Sequence, residues 1–193
     1  MAVKSLRFAT ACGMSDRLRL DLVLNDVVAS ALSSGEITVL SDGSPWRPLI
    51  DVSDMARAVE WAVLRRPPTG GQHLIVNVGS NEWNYQVHEL AAAVAAEIPG
   101  TAVSLNEKAP PDRRSYQADF TKYRILTPNY QPRMSLVETV RAIRDGLETL
   151  GLTDADVRNS DQIRLQVLER HTASGRLSAD LRWRYPLKVE TRS

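Results

Sequence analysis

From Ser5 to Gly151, short apolar runs alternate with amphipathic stretches, and this alternation limits the folds open to the chain. Strand-like runs cover Ser5 to Thr10, Glu36 to Leu40, Leu49 to Val52, His73 to Val78 and Thr101 to Leu105. Between them apolar residues recur at helical spacing. Leu20, Val23, Leu24, Val27, Val28 and Ala31 form one stripe, which Gly35 ends. Val87, Leu90, Ala91, Val94 and Ile98 form another. Strands alternating with helices of roughly 10 to 15 residues predict an α/β domain with a largely parallel sheet.

Turn chemistry sharpens the boundaries. Asp42-Gly43 closes the strand that ends at Leu40, and residues 67–71 (Pro-Pro-Thr-Gly-Gly) form a loop. Ser53 is read as the N-cap of a helix whose buried stripe is Ala56, Val59 and Val63. Ser135 and Glu138 make a capping box, and Leu136, Val140, Ile143, Leu147 and Leu150 line one face of the helix behind it. Ala109-Pro110-Pro111 opens a charged loop, Asp112-Arg113-Arg114-Ser115-Tyr116. Residues after Thr153 read differently. They are helical around Ser160 to Thr172, end at Gly175, and carry Trp183 and Tyr185. The expected division is residues 1–152 as one α/β body and 153–193 as a helical appendage.

A formal net charge of +1 gives no global pull toward nucleic acid or membrane. No apolar run approaches the about 20 residues that span a bilayer. The start, with Lys4 and Arg7 inside a short apolar stretch, reads as a strand and not as a leader. Cys12 is the single cysteine, so no disulfide forms within the chain, which suits a reducing cytoplasm. It reads as a small half-buried filler. His73, His88 and His171 are scattered, with no cysteine or carboxylate at ligand spacing, so no metal site is expected. Arg158, Arg164, Arg170, Arg176 and Arg182 recur every six residues. At roughly 100° per residue they spiral around a helix and form no nucleic-acid stripe.

Several segments fall in one family order: Leu6-Arg7-Phe8-Ala9-Thr10 before Gly13, Asp42-Gly43 with Trp46-Arg47-Pro48, then Leu49 to Ala58, Asn77-Val78-Gly79, and Asp112 through Asp119. In this the chain resembles extended short-chain dehydrogenases/reductases, specifically NAD-dependent epimerases and dehydratases acting on nucleotide sugars. The resemblance covers about the first 150 residues. It implies a partial doubly wound, Rossmann-like sheet carrying the substrate-binding subdomain, with the helical appendage added. It also implies NAD as the cofactor of the intact family and a nucleotide sugar as substrate. Position by position, it makes Arg47 and Arg114 ligands of the substrate diphosphate, Asn25 a further substrate ligand, and Asp112 a partner for a ribose hydroxyl. Thr10, at the end of the first strand, falls near the nicotinamide. The planar guanidinium fork suits diphosphate oxygens better than an ammonium does. Only four of the 24 basic residues are lysine, which is compatible with that use.

The family's cofactor fingerprint, a glycine-rich turn opening a helix, is missing. Neither Gly-x-x-Gly-x-x-Gly nor Gly-x-Gly-x-x-Gly occurs. The family's Tyr-Lys pair, four residues apart, is missing too. Four residues after Tyr85, Tyr116, Tyr123, Tyr130 and Tyr185 stand Glu89, Phe120, Thr127, Met134 and Val189. No catalytic residue is therefore assigned. The chain alone is expected neither to bind NAD tightly nor to transfer hydride. Three origins stay open: a truncation, a split enzyme completed by a separate N-terminal half, and a remnant that binds sugar nucleotides or other proteins without catalysis. Loss of neighbouring strands would leave Ser5 to Thr10 with an open edge, so a homo-oligomer or another partner is expected.

Overall fold

A computed structural model describes residues 3–66, 71–109, 115–152, 157–159 and 163–184. The first apolar run forms two strands, β1 (Val3–Phe8) and β2 (Thr10–Cys12), which part at Ala9. A loop leads to helix α1 (Val23–Ser34), closed by Gly35 at φ +68° with its N–H donated to the Ala31 carbonyl. Next come β3 (Glu36–Val39), β4 (Trp46–Asp51) and α2 (Val52–Leu64). Strand β5 (His73–Val78) runs through a 3-10 turn, Asn81–Trp83, into β6 (Asn84–Gln86) and α3 (Val87–Glu97). Then follow β7 (Ala102–Leu105), α4 (Thr121–Leu126), α5 (Leu136–Thr149) and α6 (Arg164–Ala173).

The strands pair in three small groups. β1 runs parallel to β5, from Val3 opposite His73 to Phe8 opposite Val78. β2 runs parallel to β4, which is antiparallel to β6 on its other side. β3 is parallel to β7. Two cores result. One gathers α1, α3 and α5 around Leu24, Val28, Leu90, Val94, Val140 and Ile143. The other sets α2 and α4 against β5 through Ala58, Trp61, Leu74, Val76 and Tyr123. Trp61 and Tyr123 meet edge to face with ring centres 5.8 Å apart.

Much of the sequence reading stands. The α3 stripe is buried from Val87 to Val94, with Ile98 partly buried at the helix C-cap, and the Ser135–Glu138 capping box is formed in both directions. Leu150 is a departure: it lies past the end of α5 and is exposed. The larger departures concern α2. Its N-cap is Asp51, whose carboxylate accepts from the Ser53 backbone N–H at 2.8 Å. Ala56, Val59 and Val63 are not its buried stripe. Val59 and Val63 are exposed, and the helix buries Asp54, Ala58, Trp61 and Ala62. Trp61 decides this, because it carries the largest apolar surface on the helix and Tyr123 is there to receive it.

The appendage begins on the body. Val157 is buried in the first core, and the Arg158 guanidinium grips the Asp26 carboxylate of α1 in a fork at 2.9 and 2.8 Å. Helix α6 itself buries no side chain. It is followed by a turn at Gly175 and a single bridge between Leu177 and Trp183.

Candidate functional site

Strand β4 organises the candidate site. Arg47 lies near its start, opposite Tyr85 of β6. The Arg47 side chain is half-buried, and its Nη1 donates to the Trp46 carbonyl at 2.8 Å. The same carbonyl accepts the Tyr116 N–H at 3.4 Å, while the Trp46 N–H donates to Ser115 Oγ at 3.0 Å. The end of the charged loop is therefore bonded to the residue beside Arg47. Asp112 and Arg114 lie outside the described residues. Ser115, one residue on from Arg114, is the point at which the loop meets β4.

From Ser115 to Phe120 the chain has no regular secondary structure and is held by two asparagines. Asn84 takes the Ala118 N–H at 2.9 Å and returns its own amide to the Ala118 carbonyl at 3.1 Å. Asn81 takes the Phe120 N–H at 2.8 Å. Each carboxamide offers a donor and an acceptor, so it stands in for the edge of a strand. Gly79 lets this happen: a Cβ there would lie 2.7 Å from the Phe120 ring. Neither asparagine was singled out from sequence. The available signal was two Asn three residues apart in the polar turn between β5 and α3.

At its other end β4 delivers Asp51, a further residue that the sequence reading missed as a site organiser. Asp51 is 3% exposed. One carboxylate oxygen accepts from the Ser53 backbone and hydroxyl, at 2.8 and 2.6 Å, and the other accepts from Thr139 Oγ1 of α5 at 2.9 Å. The same carboxylate lies against Gly13, where a Cβ would sit 2.5 Å from Oδ2. Gly13 has φ +104°, so both conformation and space call for glycine. Its N–H donates to Asn25 Oδ1 at 3.1 Å, and Asn25 Nδ2 donates to the Arg19 carbonyl at 3.0 Å. Asn25 is thus buried and braces the loop between β2 and α1 from both ends of its carboxamide.

Thr10 opens β2, paired with Leu49 and half-buried. Cys12 is fully buried, not half-buried. Its thiol pKa is pushed far up, first by burial and then by the nearby Asp51 carboxylate. Burial, reinforced by Glu89, also raises the Tyr85 phenol. Asp54 joins α2 to the segment before α5 by accepting the Arg133 and Met134 N–H groups at 2.9 and 3.0 Å. His88 Nδ1 is 3.0 Å from the Gly43 carbonyl, and His171 meets Trp183 edge to face with ring centres 5.1 Å apart. Among the described residues no group of three or more His, Cys, Asp or Glu could hold a metal ion, and no helix is long and apolar enough to cross a membrane.

The α/β architecture and the segment order define a Rossmann-like fold of the kind found in short-chain epimerases and dehydratases. Residues 1–79 match the NAD dependent epimerase/dehydratase family. Among solved structures, the chain is similar to MoeE5 in complex with UDP-glucuronic acid and NAD: TM-score 0.63, 22% identity, 77% of this chain and 48% of that one. It is similar to UDP-glucuronic acid 4-epimerase from Bacillus cereus in complex with UDP-glucuronic acid and NAD, with TM-score 0.62, 20% identity, and 75% and 45% of the two chains covered. It is also similar to TunA, an NAD dependent NDP-hexosamine 5,6-dehydratase, with TM-score 0.60, 21% identity, and 78% and 46% covered. The chain thus spans under half the length of each of these structures. No curated protein matches it.

Proposed function

We propose that this chain is the substrate-binding half of an NAD-dependent nucleotide-sugar epimerase/dehydratase. Arg47 and Arg114 hold the diphosphate, Asn25 supports the sugar-nucleotide site, Asp112 meets a ribose hydroxyl, and Thr10 lies toward the cofactor. The observation that carries this reading is the pair of hydrogen bonds at Trp46, whose N–H donates to Ser115 Oγ and whose carbonyl accepts from the Tyr116 N–H. They hold Ser115 and Tyr116, which directly follow Arg114 in the sequence, against the strand bearing Arg47, and this supports a site shared by two arginines 67 residues apart. Two guanidinium groups converging on one diphosphate give directional, charge-assisted bonds of about 1.5–3 kcal/mol each.

The residues described do not fit the cofactor's pyrophosphate. Gly13 is a strand-end glycine at positive φ, but the Asp51 carboxylate fills the space beside it and would repel an anion. NAD is accordingly assigned to the part of an intact enzyme that this chain does not supply. The chain by itself is inactive in this reading, and its own residues bind and orient the sugar nucleotide.

Calorimetry on the full chain with UDP-, dTDP- and GDP-sugars tests this. One of them binds, and Arg47→Ala weakens it about 10- to 100-fold, the loss of one charge-assisted contact. Folded protein that binds none of the three, or that binds equally well after Arg47→Ala, overturns the assignment.

A further inference from the structure

Strands β4 and β6 put Arg47 and Tyr85 side by side. Residues directly opposite in an antiparallel pair send their side chains to one face, with Cβ atoms about 5 Å apart. Arg47 and Tyr85 are such a pair. Alternation along β4 sets Leu49 and Asp51 on that face as well, and the parallel register adds their partners Thr10 and Cys12 from β2. Cys12, Leu49 and Asp51 are buried, whereas Thr10, Arg47 and Tyr85 are half-buried. The face is therefore closed at its centre and partly open where Arg47 and Tyr85 stand.

The Tyr85 ring is fixed in place and its hydroxyl is unused. The ring packs on the first core and meets Trp83 edge to face with centres 6.1 Å apart. Among the described residues the hydroxyl has no hydrogen-bond partner. Tyr123, the tyrosine of the second core, instead donates its hydroxyl to the Tyr130 carbonyl at 2.8 Å. Tyrosines that bury their rings normally place the hydroxyl on a partner. Burial, and then the charge of Glu89, keep the Tyr85 phenol protonated, so at neutral pH it offers both a donor and an acceptor.

We propose that the Tyr85 hydroxyl binds a sugar-ring hydroxyl of the ligand whose diphosphate Arg47 holds. This rests on the nucleotide-sugar reading above and adds a contact to the same site. The build of such a ligand supplies the argument. Its diphosphate is flanked on one side by ribose and on the other by a hexose, so a group one strand away from the phosphate-holding residue meets a hydroxylated ring whichever way the ligand runs. A protonated phenol suits that ring, since it both donates to and accepts from a hydroxyl. The Glu89 carboxylate, whose charge the phenol feels, makes a phosphate oxygen the poorer partner.

Calorimetry on the full chain compares the unmodified protein, Tyr85→Phe and Arg47→Ala. The probes are UDP-glucose, dTDP-glucose and GDP-mannose, the matching nucleoside diphosphates, and the 2′,3′-dideoxy forms of those diphosphates. Tyr85→Phe keeps the ring and its contact with Trp83, so it leaves Tm unchanged and weakens sugar-nucleotide binding about 3- to 10-fold, the loss of one neutral hydrogen bond. A loss seen with the sugar nucleotide and not with its diphosphate assigns the hexose. A loss equal in both and absent from the dideoxy form assigns the ribose. The Tyr85 phenol, isolated as the near-ultraviolet difference between the unmodified protein and Tyr85→Phe, titrates at higher pH with saturating ligand, because the neighbouring diphosphate disfavours the phenolate. Equal binding after Tyr85→Phe, an equal loss that persists with the dideoxy form, or a phenol titration unmoved by ligand would each overturn the proposal. If Arg47→Ala still weakens binding in those cases, the diphosphate reading stands without it. Folded protein that binds none of the probes overturns both.

Discussion

Replacing Asp51 by alanine removes one carboxylate that joins three elements. It caps α2 through the Ser53 N–H, a contribution of about 1 kcal/mol. It also accepts the hydroxyl of Thr139, a residue that is 0% exposed. Leaving that hydroxyl buried without its partner costs about 1–3 kcal/mol. The Ser53 hydroxyl is at the surface and recovers its bond from water, so it adds little. The sum is about 3 kcal/mol. For a chain of this size that lowers Tm by about 6–12 °C. Urea unfolding followed by circular dichroism reads the same loss as a lower midpoint at unchanged slope. The double-mutant cycle with Thr139→Val isolates the buried contact, whose coupling is expected near 1 kcal/mol. A loss below about 0.5 kcal/mol for Asp51→Ala, or a coupling of zero, would refute the assignment of Asp51 as the junction.

Three further outcomes follow from the same geometry. Gly13→Ala is destabilising by about 2 kcal/mol or more, from positive φ together with the clash against Asp51, and a neutral result in urea unfolding contradicts it. Cys12 resists thiol reagents at pH 8 in the folded protein and reacts promptly in urea, because burial holds it as the thiol; rapid labelling without denaturant would contradict its position. The Ser135 hydroxyl and N–H lower the Glu138 pKa, and the Thr121 hydroxyl and N–H lower that of Asp119. A carboxylate with a lowered folded-state pKa contributes stability in full above its unfolded value. That contribution fades as pH falls through the folded one. Tm should therefore drop on acidification from pH 6 to pH 3, and Glu138→Gln should flatten part of that drop; a rise in Tm over this range would contradict the caps.

The features written locally were legible in the sequence. The capping box at Ser135 and the α3 stripe depend on neighbours three or four residues away. Helix α2 was misread because both its flanks are apolar, so periodicity offered two candidate faces. The choice between them came from Tyr123, more than 60 residues further along. Its cap was misplaced for a related reason. Asp51 and Ser53 are both good caps, and the contacts with Gly13 and Thr139 favour the aspartate. Strand β4 extends three residues before the apolar run at Leu49, since Trp46, Arg47 and Pro48 pair with β6 and need no apolar pattern to do so. Helix α4, six residues long, is too short for a stripe to register. At the site, Arg47 was visible as a residue type in a recognisable setting. The asparagine clamp was not, because its partners are backbone groups more than 30 residues away.

That clamp is electrically neutral. Asn81 and Asn84 grip peptide groups with carboxamides, so neither protons nor dissolved ions compete for the grip. In the proposed diphosphate site an arriving dianion meets a frame whose Asn81–Asn84 clamp holds no ion pair for its field to unlock. Raising ionic strength should then loosen the visitor while leaving the frame that receives it in place.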